Sequence, residues 1–209
     1  MARGATARLF VAVDPPAVIR EELHAWARDA AAGMAASGAA AVRAPLRLLD
    51  PQALHITLCF LGARPVAEID AVGAAVSGCA AHVGELSLGA PVWLPPRRPR
   101  ALAVEIHDRD GELARLQGAL ASAMAQAVGW QAERRRFKAH LTVARVRAGG
   151  VRRRRGAGAP ELPAAAPALP ATPPLSFTPE AVVLYRSWLS PAGARYEPLA
   201  ACELITRDR

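Results

Sequence analysis

The sequence predicts an α+β fold in which two similar halves form one domain. Three observations lead there. Short apolar strand patterns are separated by three amphipathic helical patterns, the strand-and-helix order recurs in the second half, and no Gly-rich phosphate loop follows the first strand. The last point argues against a dinucleotide-binding fold, and the absence of G-x-x-x-x-G-K-[ST] leaves ATP-dependent chemistry without a site.

The elements follow in order. Arg8 to Val13 reads as a strand, and the run ends at Asp14-Pro15-Pro16, a start signal for a helix over Val18 to Ala36. Leu54 to Leu61 is the next strand, followed by a helical pattern over Ala67 to Ala81 and strand patterns at Glu85 to Leu94 and Ala101 to Ile106. Asp110 to Val128 is helical, Phe137 to Val146 extended, and Ala181 to Leu189 and Tyr196 to Ile205 are the final strands. Gly149 to Pro174 supports neither period. With four consecutive arginines, Arg152 to Arg155, and an Ala/Pro run, it reads as a mobile basic loop, favoured as a solvated insertion over a flap on bound ligand.

Bulk properties narrow the function classes. An apolar content of 52% in 209 residues is ample for a core without staples. Cys59, Cys79 and Cys202 are odd in number and have no C-x-x-C spacing, so neither a disulfide framework nor a zinc site is expected, and a reducing cytoplasm fits. Leu9 to Val13 is too short for a signal sequence, and every alanine-rich stretch is interrupted before it reaches a membrane-spanning length. A net charge of +8 and a pI near 10.8 favour a polyanionic partner. Charge alone does not establish one. Lys138 is the only lysine, and an Arg-, Ala-, Gly- and Pro-rich composition is what a GC-rich coding sequence yields unselected.

The chemistry concentrates in two strands. LHITLCFLG places Leu54, Ile56, Leu58 and Phe60 on one face and His55, Thr57 and Cys59 on the other, by strict alternation. FKAHLTVARV likewise sets Lys138, His140, Thr142 and Ala144 opposite Phe137, Ala139, Leu141 and Val143. H-x-T therefore occurs twice, 85 residues apart (140 − 55), once in each half. One copy is a weak signal. Two copies in equivalent halves would bring two imidazoles and two hydroxyls to one groove, with a side chain that titrates at about 6.5 serving as both acid and base. Such a pair suits a strained cyclic phosphodiester, which needs an activated water and a protonated leaving oxygen but no metal. His24, His82 and His107 lack a matching Thr or acidic cluster and read as surface or capping residues. Cys59 shares the predicted face of His55 but has no base of its own, so it reads as an apolar filler.

Together RLFVAVDPP, LHITLCFLG, KAHLTVARV and LYRSWLSPAGARYEPLA resemble the RNA 2′,3′-cyclic phosphodiesterases, the 2′-5′ RNA ligase-like branch of the 2H phosphoesterases, over nearly the whole chain. The resemblance implies a bilobal fold, two pseudo-symmetric antiparallel sheets flanking a V-shaped groove with helices outside. His55 and His140 would be catalytic, Thr57 and Thr142 would bind the phosphate, and Arg145 would match a phosphate-contacting arginine. It also implies hydrolysis of 2′,3′-cyclic ends to 2′-phosphates, ATP-independent 2′-5′ joining as the reverse reaction, no cofactor or metal, and a monomer acting on RNA ends such as tRNA fragments. Strict alternation puts Arg145 opposite His140, so its role requires a break in the strand. Ala139 stands where the family usually has proline, which is expected to loosen His140 slightly. Related activities on ADP-ribose cyclic phosphate or 2′-5′ oligoadenylate remain alternatives, as does non-catalytic RNA binding. Between the histidines, Lys138 and Arg145 beside His140 suggest His140 as base and His55 as acid.

Overall fold

In the computed structural model, which describes residues 5–36, 46–96, 99–133, 135–146, 169–190 and 193–205, the first strand β1 (Thr6–Val13) buries Leu9, Val11 and Val13 completely. Pro15 and Pro16 start α1 (Ala17–Ala36), whose buried stripe, Ile19, Leu23, Ala27, Ala30 and Met34, follows the helical period. A short strand β2 (Leu46–Leu48), too brief to show a period, precedes a 3-10 turn at Pro51–Ala53, where Asp50 Oδ1 accepts from the Gln52 N–H at 2.8 Å. Then come β3 (Ile56–Pro65), α2 (Ile69–Ser77), β4 (Leu86–Leu94), β5 (Ala101–His107) and α3 (Glu112–Val128). The last buries Leu113, Leu116, Leu120 and Met124, and it stops at Gly129, whose φ of 62° is a backbone state glycine adopts without steric cost. β6 (His140–Val146), β7 (Ser176–Phe177), β8 (Ala181–Ser190) and β9 (Gly193–Glu203) complete the order.

The strands lie in the order β7-β4-β5-β6-β3-β1-β8-β9, with β2 also paired to β6, and every one of these pairings is antiparallel. The expected two sheets are visible as two blocks joined at one place. β3 and β6 meet only at Ile56↔Leu141, and further along β6 the edge left by β3 is taken by β2, through Leu48↔Ala144 to Leu46↔Val146. α1 packs on β2 and β6, while α2 and α3 pack on each other, α2 against β8 and β9 and α3 against β3. The helices supply much of the buried apolar surface. No helix among the described residues is long and apolar enough to cross a membrane.

Some boundaries differ from the sequence reading. The second helical pattern is split, a 3-10 turn at Val66–Glu68 before α2, and the sixth strand begins at His140 rather than Phe137. Residues 147–168, with Arg152 to Arg155, lie outside the described residues. The described end of the predicted loop is anchored: Trp26 Nε1–H donates to the Ala171 carbonyl at 2.9 Å, and the Thr172 hydroxyl to that of Gly89 at 2.6 Å.

Candidate active site

The single pair between β3 and β6 sits at the centre of both H-x-T motifs. Since Ile56 faces Leu141 in an antiparallel register, His55 falls across from Thr142 and Thr57 across from His140. Both apolar partners are fully buried, and the four polar side chains line one groove on the opposite face. The two imidazoles are held alike. His55 Nδ1 lies 2.8 Å from the carbonyl of Ala53 and His140 Nδ1 2.9 Å from that of Lys138, in each case two residues upstream. A carbonyl only accepts, so each Nδ1 carries a hydrogen and each Nε2 is left for chemistry. The expected loosening at Ala139 is countered by its carbonyl, which accepts from the Ile106 N–H at 3.0 Å.

Each motif is followed by a β-bulge in the same place. Register shifts make Leu58 an extra residue in β3 (Ala12↔Thr57, then Val11↔Cys59) and Val143 an extra residue in β6 (Ala103↔Thr142, then Leu102↔Ala144), each three positions after its histidine. A bulge reverses the alternation beyond it. This corrects two expectations from strict parity and removes an obstacle to a third. Cys59 does not share the face of His55; it is 1% exposed in the core, and burial pushes its thiol up to about 12. Phe60, expected inside, lines the groove and is 45% exposed. Arg145 lies on the groove with His140 and Thr142, and in the repeat of the motif it occupies the position that Phe60 holds after His55.

Burial distinguishes the histidines. The Phe10 ring centroid lies 4.7 Å from that of His55, and Tyr196 meets His55 edge-on at 5.2 Å. The His55 pKa is lowered from its ordinary value, chiefly by desolvation; the charges of Arg145 and His140 add to this, against the Ala53 carbonyl and Asp14. The expectation of His140 as base rested on charge beside it in sequence; in the fold the positive charge of Arg145 acts on His55 as well, and Lys138 is exposed and serves His140 through its backbone carbonyl. Behind Phe10, the Tyr185 hydroxyl donates to Asp14 Oδ2 at 2.5 Å, and burial with that bond pushes its pKa up.

Further groove residues escaped the sequence reading: Arg8, Phe10, Arg47, Arg100, Arg135 and Tyr196. Alternation in RLFVAV could have flagged Arg8 and Phe10 as one face, whereas nothing local distinguishes Arg47. His24 borders the groove, its Nδ1 hydrogen-bonded to the Leu49 carbonyl at 2.9 Å, and His82 stands 2.8 Å from Glu112, so neither is a plain surface residue; His107 is exposed, as expected. No group of three or more His, Cys, Asp or Glu among the described residues is arranged to hold a metal.

The comparisons agree with this geometry. Residues 15–188 match the model of the 2'-5' RNA ligase superfamily. The RNA 2',3'-cyclic phosphodiesterase of Archaeoglobus fulgidus is 31% identical over 141 residues, 67% of this chain and 73% of that protein. Among solved structures, TT0787 of Thermus thermophilus is 26% identical, with a TM-score of 0.65, covering 94% of this chain and 97% of that one. E. coli LigT complexed with 3'-AMP shares the fold at 22% identity, with a TM-score of 0.72 over 97% of this chain and all (100%) of that chain. With both H-x-T motifs facing one groove at the junction of the two strand blocks, the chain belongs to the 2'-5' RNA ligase superfamily.

Proposed function

We propose that the chain hydrolyses RNA 2′,3′-cyclic phosphate ends, those of tRNA fragments included, to 2′-phosphomonoesters by metal-independent acid/base catalysis. The observation that carries this reading is the Ile56↔Leu141 pair, which sets two imidazoles and two threonines around one point. The name of the A. fulgidus relative supports the substrate class.

Each residue then has a task. The Thr57 and Thr142 hydroxyls and the Arg145 guanidinium donate to the non-bridging phosphoryl oxygens, where charge accumulates as water attacks. His55, held neutral by burial, takes the proton of that water at Nε2. His140, on the opposite side of the phosphorus, donates its Nε2 proton to the departing ribose O3′, leaving the phosphate on O2′. With a 5′-hydroxyl in place of water, the same transfers form the O5′–P bond, break the bond to O3′ and join the two ends 2′-5′ without ATP.

The test is an RNA oligomer ending in a 2′,3′-cyclic phosphate, incubated with enzyme dialysed against excess EDTA, with the product isomer resolved chromatographically. Full activity and a 2′-phosphate are expected. Recovery only upon adding a divalent ion, or a 3′-phosphate product, refutes the mechanism.

A further inference from the structure

Tyr196 comes to the histidine pair from the far edge of its block. It stands on β9, the outermost strand, directly opposite Ser187 of β8, and β8 separates it from β1. Its ring nevertheless reaches across: the centroid lies 5.0 Å from that of Phe10 on β1 and 5.2 Å from that of His55, edge-on to both. Ser187 is buried and small, which leaves the groove face of β8 low enough for the ring to pass over it. Phenylalanine would make the same ring contacts.

The hydroxyl is what those contacts leave unexplained. Tyr196 lines the groove, half-buried, and no group among the described residues is hydrogen-bonded to its phenolic oxygen. Tyr185, on another side of the same Phe10 ring, differs, because its hydroxyl donates to Asp14. A polar group drawn out of water without a protein partner costs stability, and a ligand in the groove would satisfy it.

The surroundings of that oxygen are cationic. Arg145 acts on it most strongly, followed by Arg8 and Arg47, while burial raises the phenol's pKa and keeps it a donor at neutral pH. Arg47, opposite Arg145 in the β2–β6 ladder, arrives from the other block, its Nη1 3.7 Å from where a Cβ on Gly193 would stand, at the start of the same β9. Arg145 is also the strongest cationic influence on His55. The phenolic oxygen, the His55 imidazole and the Arg145 guanidinium therefore share one part of the groove, where the reacting phosphate meets its base.

We propose that Tyr196 is a further catalytic residue, whose hydroxyl donates a hydrogen bond to a non-bridging oxygen of the reacting phosphate, beside Arg145 and on the side where His55 activates water. This rests on the proposed hydrolytic reading and adds a third hydroxyl to those of Thr57 and Thr142. The phenol transfers no proton. The proton of water goes to His55 and O3′ takes that of His140, while the phenolic hydrogen bond tightens as negative charge gathers on the phosphoryl oxygen, so its loss falls on kcat more than on KM.

Tyr196→Phe tests this, because it removes the hydroxyl and keeps the ring against His55 and Phe10. On an RNA oligomer ending in a 2′,3′-cyclic phosphate, kcat should fall about 10- to 100-fold with KM little changed. The acidic limb of the pH profile and the denaturant midpoint should stay at their wild-type values. Tyr196→Leu, which also opens the wall around His55, should move that limb to higher pH. On a nitrophenyl phosphodiester Tyr196→Phe should lose as much as on RNA, since the donor serves the phosphoryl oxygens and not the leaving group. Binding of uridine–vanadate, whose five-coordinate vanadium resembles the attacked phosphorus, reads the contact without turnover and should weaken by a similar factor, with uridine binding unchanged. If it weakens in an enzyme that cleaves no cyclic phosphate, the hydroxyl keeps its place and only the hydrolytic reading falls. The proposal is overturned if Tyr196→Phe retains wild-type kcat and vanadate affinity, or changes only KM, the acidic limb or stability, which makes the tyrosine a packing residue. Relief of the loss on the nitrophenyl diester overturns it too, by moving the hydroxyl to the departing oxygen.

Discussion

Replacing Phe10 by leucine relieves the burial of His55 without touching either histidine. Phe10 is 3% exposed, and its ring centroid lies 4.7 Å from His55, 5.2 Å from Tyr185 and 5.0 Å from Tyr196. Leucine keeps most of the apolar volume and forfeits three ring contacts worth about 0.5–1.5 kcal/mol each, so the loss of stability is about 1.5–4.5 kcal/mol. Against a typical total of about 5–15 kcal/mol, the variant still folds. Desolvation is the largest cause of the lowered His55 pKa, so admitting water raises that pKa toward the ordinary value of about 6.5. With His55 as base only its neutral form works, and the acidic limb of the kcat/KM profile moves to higher pH. The stability sign is consistent. A depressed folded pKa contributes stability that is present above the unfolded value and is lost as pH falls through the folded one, so this pH-dependent part shrinks in Phe10→Leu. Two measurements decide: the pH profile on a cyclic-phosphate substrate, and denaturant unfolding at neutral and mildly acidic pH. An acidic limb that stays in place while stability falls shows that burial by Phe10 does not set the His55 pKa.

The assignment of roles predicts a dependence on leaving group. His140→Ala, expected to lose about 10²- to 10⁴-fold on RNA, should lose far less on a nitrophenyl phosphodiester, whose leaving group needs no proton, whereas His55→Ala should lose heavily on both. The opposite pattern exchanges acid and base, and equal losses on both substrates make the histidines phosphate binders. For Cys59, alanine should leave kcat/KM nearly unchanged, and serine should do the same at a stability cost of about 1–3 kcal/mol, because its hydroxyl enters the core unpaired. Rapid inactivation of the folded enzyme by a thiol reagent, abolished in Cys59→Ala, would contradict its place in the core.

The paired H-x-T motifs, the three helices and most strands were legible because each rests on a local period or a local residue pattern. His55 and Thr57 precede the bulge of β3, and His140 and Thr142 that of β6, so alternation placed all four correctly on the groove. The same rule failed at Cys59 and Phe60 and left Arg145 unresolved, since a bulge depends on how the neighbouring strand pairs, which no single strand's sequence records. β2 and β7 escaped because three and two residues are too few to show a period.

By itself the sequence determined which chemical groups are available and that they come as a repeated pair, because alternation and motif spacing are properties of the chain. Tertiary structure alone decided that the pair meets through Ile56 and Leu141, that burial lowers the pKa of His55, and that Arg47 stands opposite Arg145 and reaches toward Gly193. Each of these depends on neighbours distant in sequence: a side chain's desolvation and the field on it are sums over everything packed around it, and only the folded chain specifies that surrounding.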